Sequence, residues 1–318
     1  MKRLLLMSLI LTVLVFSMPL LSGSTVSESA PQPEKKAEKL AKDAKREIKL
    51  LQNGETVSIS VRDYLMGVVA AEMPAAFESE ALKAQAVAAR SYLQRALTQP
   101  SRHDSAHICS DSACCQAYKS SDELKSIWGD KYEKYMAKIE KAVDATDGKY
   151  LSYEGEPVMA AFHSSSSGTT ENSGALWKEL PYLTSVDTPE TEKDVPNFIS
   201  TLSEKDIDFR DTVLYAKPDA DMTGSAEDWV GKTVRDKAGR VESMVIGGEK
   251  FSGDELRKLF SLRSTDFTLE HSDGTFTFTV KGYGHGIGMS QYGANVMAKN
   301  GADYREILAH YYPGTVLS

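Results

Sequence analysis

Three stretches of this sequence carry residue types that could do chemistry. The first is Val68-Val69-Ala70-Ala71-Glu72-Met73-Pro74, where a lone glutamate ends an apolar run just ahead of a proline. A carboxyl in an apolar pocket has its charged form disfavoured, so its pKa rises. A carboxyl that keeps its proton near neutral pH is what a general acid requires. Glu72 is therefore the candidate catalytic acid–base, and an exposed helix-end glutamate is the plainer reading of the same residues. Arg90, on the following helical stretch, reads either as a substrate clamp or as an ion-pair partner. Lys83, about two turns before it, is equally open.

The second stretch is His163-Ser164-Ser165-Ser166-Ser167-Gly168. Serine beside histidine suggests a hydrolase, but the Gly-x-Ser-x-Gly elbow that exposes a nucleophilic serine is missing. Ser164 and Ser165 read instead as parts of a substrate-binding loop. The third is Gly282-Tyr283-Gly284-His285-Gly286-Ile287-Gly288-Met289-Ser290-Gln291-Tyr292-Gly293. Alternate glycines let backbone approach a ligand or another chain segment closely. The spacing does not fit Gly-x-Gly-x-x-Gly, and no acidic partner follows at the distance a dinucleotide ribose needs. His285, with Gln291 and Tyr292 nearby, reads as the wall of a polar site; a structural turn holding a satisfied histidine is the alternative.

The elements that must position these residues follow from periodicity. Alternation over Glu55–Ser60, after the turn signal Asn53-Gly54, predicts a half-buried strand. Tyr64, Leu65, Val68 and Val69 recur at helical spacing from Val61 to Met73, and Pro74 stops that helix. A second helix is expected over Ser79–Thr98, with Leu82, Ala86, Ala89, Leu93 and Leu97 on one face. A third is expected over Asp122–Thr146. Tyr150–Tyr153 and Pro157–Phe162 read as two strands around a Glu154-Gly155-Glu156 turn, and Thr275–Val280 alternates as a strand. Helices are expected at Ser252–Phe260, at Tyr292–Asn300 and around Ile307-Leu308. The stretch from 188 to 250 is the least clearly patterned, a charged, β-rich insert with a strand at Ser243–Ile246. Helical and strand segments are segregated, which makes the fold class α+β: a helical catalytic region packed on mixed β elements.

The ends and the composition bound the function. Met1-Lys2-Arg3 followed by an apolar run from Leu4 to Leu21 is a targeting element. Its length lies between a removable signal and a spanning helix, and the basic flank favours a retained single-pass anchor with the rest of the chain outside the cytoplasm. Residues 22–45 are polar and of mixed charge, as expected of a linker, which leaves 46–318 as the working domain. A formal net charge of −8 argues against a nucleic-acid surface, which wants a basic stripe. The three cysteines, Cys109, Cys114 and Cys115, fall in one short stretch. An odd number leaves at least one thiol unpaired or bound to something.

Taken together, Tyr64–Pro74, Ala84-Gln85-Ala86-Val87-Ala88-Ala89-Arg90-Ser91-Tyr92, Gly284–Ala294 and the ending His310-Tyr311-Tyr312-Pro313-Gly314 resemble the stage II sporulation protein D family of lytic transglycosylases. The resemblance runs from about Leu51 to Val316. It implies an enzyme that cleaves peptidoglycan glycan strands between N-acetylmuramic acid and N-acetylglucosamine during engulfment, with a 1,6-anhydro product and no catalytic cofactor. It also implies a preference for strands already stripped of stem peptides by a partner amidase, within an engulfment complex that includes a membrane scaffold. A non-catalytic peptidoglycan-binding component that recruits an amidase is the alternative. Glu72 matches the family's catalytic glutamate, and Lys83 and Arg90 match positions near its site; Tyr182, His285, Gln291 and Tyr292 are expected from their residue types to line the cleft. The segment from His103 to Cys115 sits where some relatives hold a structural zinc. His103, Cys109, Cys114 and Cys115 are four ligands of types zinc accepts, with His107 a substitute. A disulfide from Cys109 to Cys114 or Cys115 is the competing reading. Cys114 and Cys115 are consecutive, too close for an unstrained bridge to each other.

Overall fold

The computed structural model describes residues 42–318. Its first hairpin joins β1 (Glu47–Gln52) to β2 (Glu55–Ser60) through Asn53-Gly54. Ile48 and Leu50 of β1 face the core, while β2 lies almost wholly exposed, so the alternation in β2 decorates an edge instead of a half-buried strand. Ser60 then caps α1 (Val61–Glu72) by accepting the Asp63 N–H at 3.0 Å. The expected apolar stripe of Tyr64, Leu65, Val68 and Val69 is fully buried. After Pro74 the chain enters α2 (Ser79–Thr98), the hub of the main core. The two-residue strand β3 (Ile108–Cys109) adds in parallel to β1.

The helix expected over 122–146 is broken in two, α3 (Ser121–Trp128) and α4 (Tyr132–Ala145). Gly129 between them takes φ +50°, outside helical backbone. Short strands follow: β4 (Leu151–Tyr153), β5 (Glu156–Pro157) and β6 (Phe162–His163).

The β-rich insert is a second hydrophobic core with wider limits than the sequence pattern gives. It runs through β7 (Ile199–Lys205), α5 (Asp206–Ala216), β8 (Val230–Arg235), β9 (Val241–Ile246), β10 (Glu249–Ser252), α6 (Gly253–Leu259), β11 (Phe267–Ser272) and β12 (Thr275–Lys281). Its strands make two antiparallel sheets, β10-β9-β8 and β11-β12-β7. Phe209 of α5 and Phe260 after α6 cluster on Phe276 and Phe278 of β12, with the Phe209 and Phe276 rings 3.9 Å apart. The helix α5 was masked in sequence by its charge: Asp206, Asp208, Arg210 and Asp211 crowd its first turns.

The chain returns to the main core through β13 (Met289–Ser290), α7 (Gln291–Lys299), α8 (Tyr304–Tyr311) and β14 (Val316–Leu317). β13 pairs in parallel with β6, and α7 and α8 pack on α2 beside α1 and α4. Helices are interspersed with several small, mostly antiparallel sheets, and the fold class is α+β, as expected.

The expected localisation as a single-pass membrane protein is corrected. Among the described residues no helix is long and apolar enough to cross a membrane. The longest of those, α2, spans 20 residues but carries Glu80, Lys83, Arg90 and Arg95, too polar for hydrocarbon. The run at 1–21 and the linker through residue 41 lie outside the described residues.

Candidate active site

Glu72 ends α1 at the floor of an open cleft of about 630 Å³. Gly67, one turn and a half earlier on the same helix, shapes what stands opposite. A Cβ there would sit 2.3 Å from the Tyr118 ring and 2.7 Å from the Lys119 carbonyl. Only glycine lets this segment press against α1, where Tyr118 stacks on Tyr64 at 5.9 Å. The close approach brings the Ala117 N–H to Glu72, donating to Oε1 at 2.8 Å, while Oε2 takes no hydrogen bond from the described residues.

Two opposing influences act on that carboxyl. Burial raises its pKa, and the hydrogen bond from Ala117 lowers it. Burial is the larger, so Glu72 holds its proton above the ordinary carboxylate range. Glu72 is also the sole carboxylate among the described residues lining this cleft. Arg95, Arg102 and Lys178 bring positive charge to the walls, and Trp177, 39% exposed, supplies an apolar face.

His285 lines the cleft, as expected. Its Nδ1 accepts the Ile287 N–H at 3.1 Å, and its ring lies 5.1 Å from that of Trp177. Burial, then Arg257, pushes its pKa down to about 4, so it is neutral at physiological pH. The neighbouring glycines do what their spacing suggests: Gly288, at φ +72°, brings its backbone so near the Ala161 carbonyl that a Cβ would stand 2.0 Å away.

Other sequence-predicted residues lie elsewhere. Arg90 is an ion-pair partner, not a clamp. It is fully buried, its Nε donates to Asp43 at 2.8 Å, and its Nη1 donates to the Lys149 carbonyl at 3.0 Å. Lys83 pairs with Glu80 at 2.5 Å. Tyr182 is buried and its hydroxyl accepts the Met159 N–H at 3.2 Å. Gln291 is buried with its Nε2 donating to Gln85 at 3.4 Å, and Tyr292 packs edge-on to Phe77 at 4.8 Å. None of these five lines the cleft.

The serine loop is structural too. Ser164 offers its carbonyl to the Tyr292 N–H, and Ser165 is 2% exposed with its backbone paired to Tyr283. Ser166 donates to His163 Nε2 at 2.6 Å and accepts from Arg240 at 3.1 Å. This Ser–His pair is buried beyond substrate reach, and burial holds the His163 pKa well below its ordinary value. It ties Arg240 of the second core to the main one.

Cys114 and Cys115 line the cleft, three and two residues before Ala117. The cysteine segment brings its four candidate ligands together. The ligand atoms of His103, Cys109, Cys114 and Cys115 all lie within 4.8 Å of one another. His103 Nε2 is 3.6 Å from Cys115 Sγ and 3.8 Å from Cys114 Sγ, and the last two sulfurs are 3.9 Å apart. A tetrahedral zinc with Zn–S of about 2.3 Å has S···S edges of about 3.8 Å, so the residues fit that ion. His107 is engaged elsewhere, its Nδ1 accepting the Lys49 N–H at 2.9 Å. No cysteine is paired in a disulfide.

Sequence reasoning missed Arg95, Arg102, Trp177 and Lys178, along with the Ala117 backbone. An exposed Trp-Lys pair with no periodic face to bury it was the available signal at 177–178; nothing local marks the others.

The stage II sporulation protein family model matches residues 52–153. The chain is 41% identical over 270 residues to stage II sporulation protein D of Bacillus amyloliquefaciens, covering 84% of this chain and 76% of that one. It is 40% identical, with the same coverage, to stage II sporulation protein D of Bacillus subtilis (strain 168). A protein of Bacillus subtilis (strain 168) named amidase enhancer is 31% identical over 307 residues, covering 80% of this chain and 40% of the relative. The chain belongs to the stage II sporulation protein D family.

Proposed function

We propose that this protein is a lytic transglycosylase that cleaves the β-1,4 bond between N-acetylmuramic acid and N-acetylglucosamine in peptidoglycan glycan strands during sporulation. The observation that carries the reading is a glycan-sized cleft whose lining, among the described residues, holds one carboxylate, its pKa raised by burial. Hydrolytic glycosidases use two carboxylates, the second to attack the sugar or to activate water. Here the substrate's own muramic 6-hydroxyl replaces that second group. Glu72 donates its proton to the glycosidic oxygen as the C1–O bond breaks. The 6-hydroxyl oxygen bonds to C1, and its proton passes to the Glu72 carboxylate. The products are a 1,6-anhydro-muramic end and a free N-acetylglucosamine 4-hydroxyl; no water is consumed, and Glu72 ends as it began.

The cations of the cleft suit strands whose lactyl carboxylates have been freed by an amidase, and a relative named amidase enhancer fits that partnership. Digestion of denuded strands in ¹⁸O-water, read by mass spectrometry, tests the reaction. Unlabelled anhydro-muramic ends are expected. Labelled reducing ends would mean hydrolysis, and strand binding without cleavage would favour the peptidoglycan-binding alternative.

We also propose that His103, Cys109, Cys114 and Cys115 hold a structural zinc. Four protein ligands leave no open position for chemistry, so the ion would brace the loop that carries Ala117. About one equivalent of zinc is expected in the purified protein and less in His103→Ala; protein free of zinc but fully folded would refute the assignment.

A further inference from the structure

The groove does not stop at Glu72. A second pocket of about 390 Å³ shares Tyr92, Arg95, Arg102, Cys115 and Met159 with the first. The two thus adjoin across a common wall beside the C-terminal end of α2, the second lined further by Gln99, Pro100, Ser101 and His107. Arg95 and Arg102 belong to the wall that both pockets share.

Neither guanidinium has a carboxylate partner among the described residues. Arg95 donates to the Pro157 carbonyl at 3.2 Å, and Arg102 to the Cys114 carbonyl at 3.4 Å. Each guanidinium has five N–H donors, so most remain free to meet a ligand. Neither contributes to the shift on Glu72, whose causes are burial and Ala117. In a chain of net charge −8, two unpaired arginines at the junction of a groove free of other carboxylates suit an anion spaced along a polymer.

We propose that Arg95 and Arg102 form a carboxylate subsite that reads the free lactyl group of a muramic residue next to the one being cleaved. The proposal rests on the glycan-strand reading above. A guanidinium and a carboxylate form paired, charge-assisted hydrogen bonds. A stem peptide turns that carboxylate into an amide, which removes the charge and adds bulk at the junction. The enzyme would thus require a denuded neighbour as well as a denuded target.

The test is binding, made in a Glu72→Gln background so that strands stay intact. The probes are fluorescently labelled denuded strands and the same strands with their carboxyls converted to methylamides. The arginine-bearing protein is expected to favour the carboxylate strands by roughly tenfold to a hundredfold, the worth of a hydrogen bond to a charged group. The added pair Arg95→Gln and Arg102→Gln should bind both strands alike, while Arg95→Lys with Arg102→Lys keeps part of the preference. Equal binding by the arginine-bearing protein overturns the proposal, as does a preference that survives the glutamine pair. If the glutamine pair fails to fold, the arginine-bearing and lysine proteins still decide. Absence of anhydro products from wild type would sink the transglycosylase reading without touching this outcome.

Discussion

Glu72 and Glu190 are both carboxyls whose pKa burial raises, yet they differ in access. Glu190 is 3% exposed and saturated: Oε1 accepts from the Ser166 N–H at 2.8 Å and from the Ser290 hydroxyl, and Oε2 accepts from the Thr188 hydroxyl. It is a strut that fastens the serine loop to β13. Glu72 takes one backbone donor and turns its other oxygen to a cleft. A perturbed carboxyl marks a functional site only when an oxygen is left free for a substrate. The same distinction separates Arg90, sealed against Asp43, from Arg95, open in the groove.

Substitutions can break this contrast. Glu72→Gln should lower turnover on denuded strands by about a hundredfold or more, the usual contribution of a general acid–base, with the melting temperature held. A variant that melts early would move Glu72 into Glu190's class. Glu190→Gln should do the reverse, lowering unfolding free energy by about 1–3 kcal/mol through mismatched buried donors while turnover per folded molecule stays near wild type. Denaturant titration with an active-fraction assay reads both quantities.

Glu171 offers a pH-dependent version of the strut. Burial, then Asp236, pushes its pKa from the ordinary 4.5 up to about 7. The native state therefore holds this proton more tightly than the unfolded chain does. Its stabilising contribution is complete below about 4.5 and is lost as pH rises through about 7. Glu171→Gln should flatten the stability profile across that window; an unchanged slope in urea titrations would place the titration elsewhere. The smallest effect is expected from Trp177→Ala. Loss of an open apolar platform should raise KM several-fold with kcat nearly unchanged, the pattern of lost uniform binding, and a fall in kcat alone would contradict it.

How much of this was legible in sequence depended on whether the cause was local. The stripe of Tyr64, Leu65, Val68 and Val69 is set by helical spacing, and Pro74 fixes where Glu72 stands. Arg90 could have been placed as well: it lies four residues after Ala86 and three before Leu93, on the stripe that is buried. Arg95 falls off that stripe, but its place in the groove depends on the distant Pro157, whose carbonyl it meets, which no local pattern records. The four metal-ligand candidates were found because cysteine and histidine are rare and clustered. Ala117 was not, because its part is played by a backbone N–H and its position depends on Gly67, fifty residues earlier. The second core escaped because charged side chains hid α5, and because its phenylalanines meet only after the strands pair.

The claim that one protonated carboxyl does both proton transfers is tested most directly by the pH dependence of kcat/KM on denuded strands, with the folded fraction followed alongside. Glu72 must carry its proton to act, so activity should be flat at low pH while the protein stays folded. It should then fall tenfold per pH unit above a single ionisation lying higher than an ordinary carboxylate, the direction burial imposes. A bell-shaped profile, with a second carboxylate that must lose its proton on the acid side, would contradict the account.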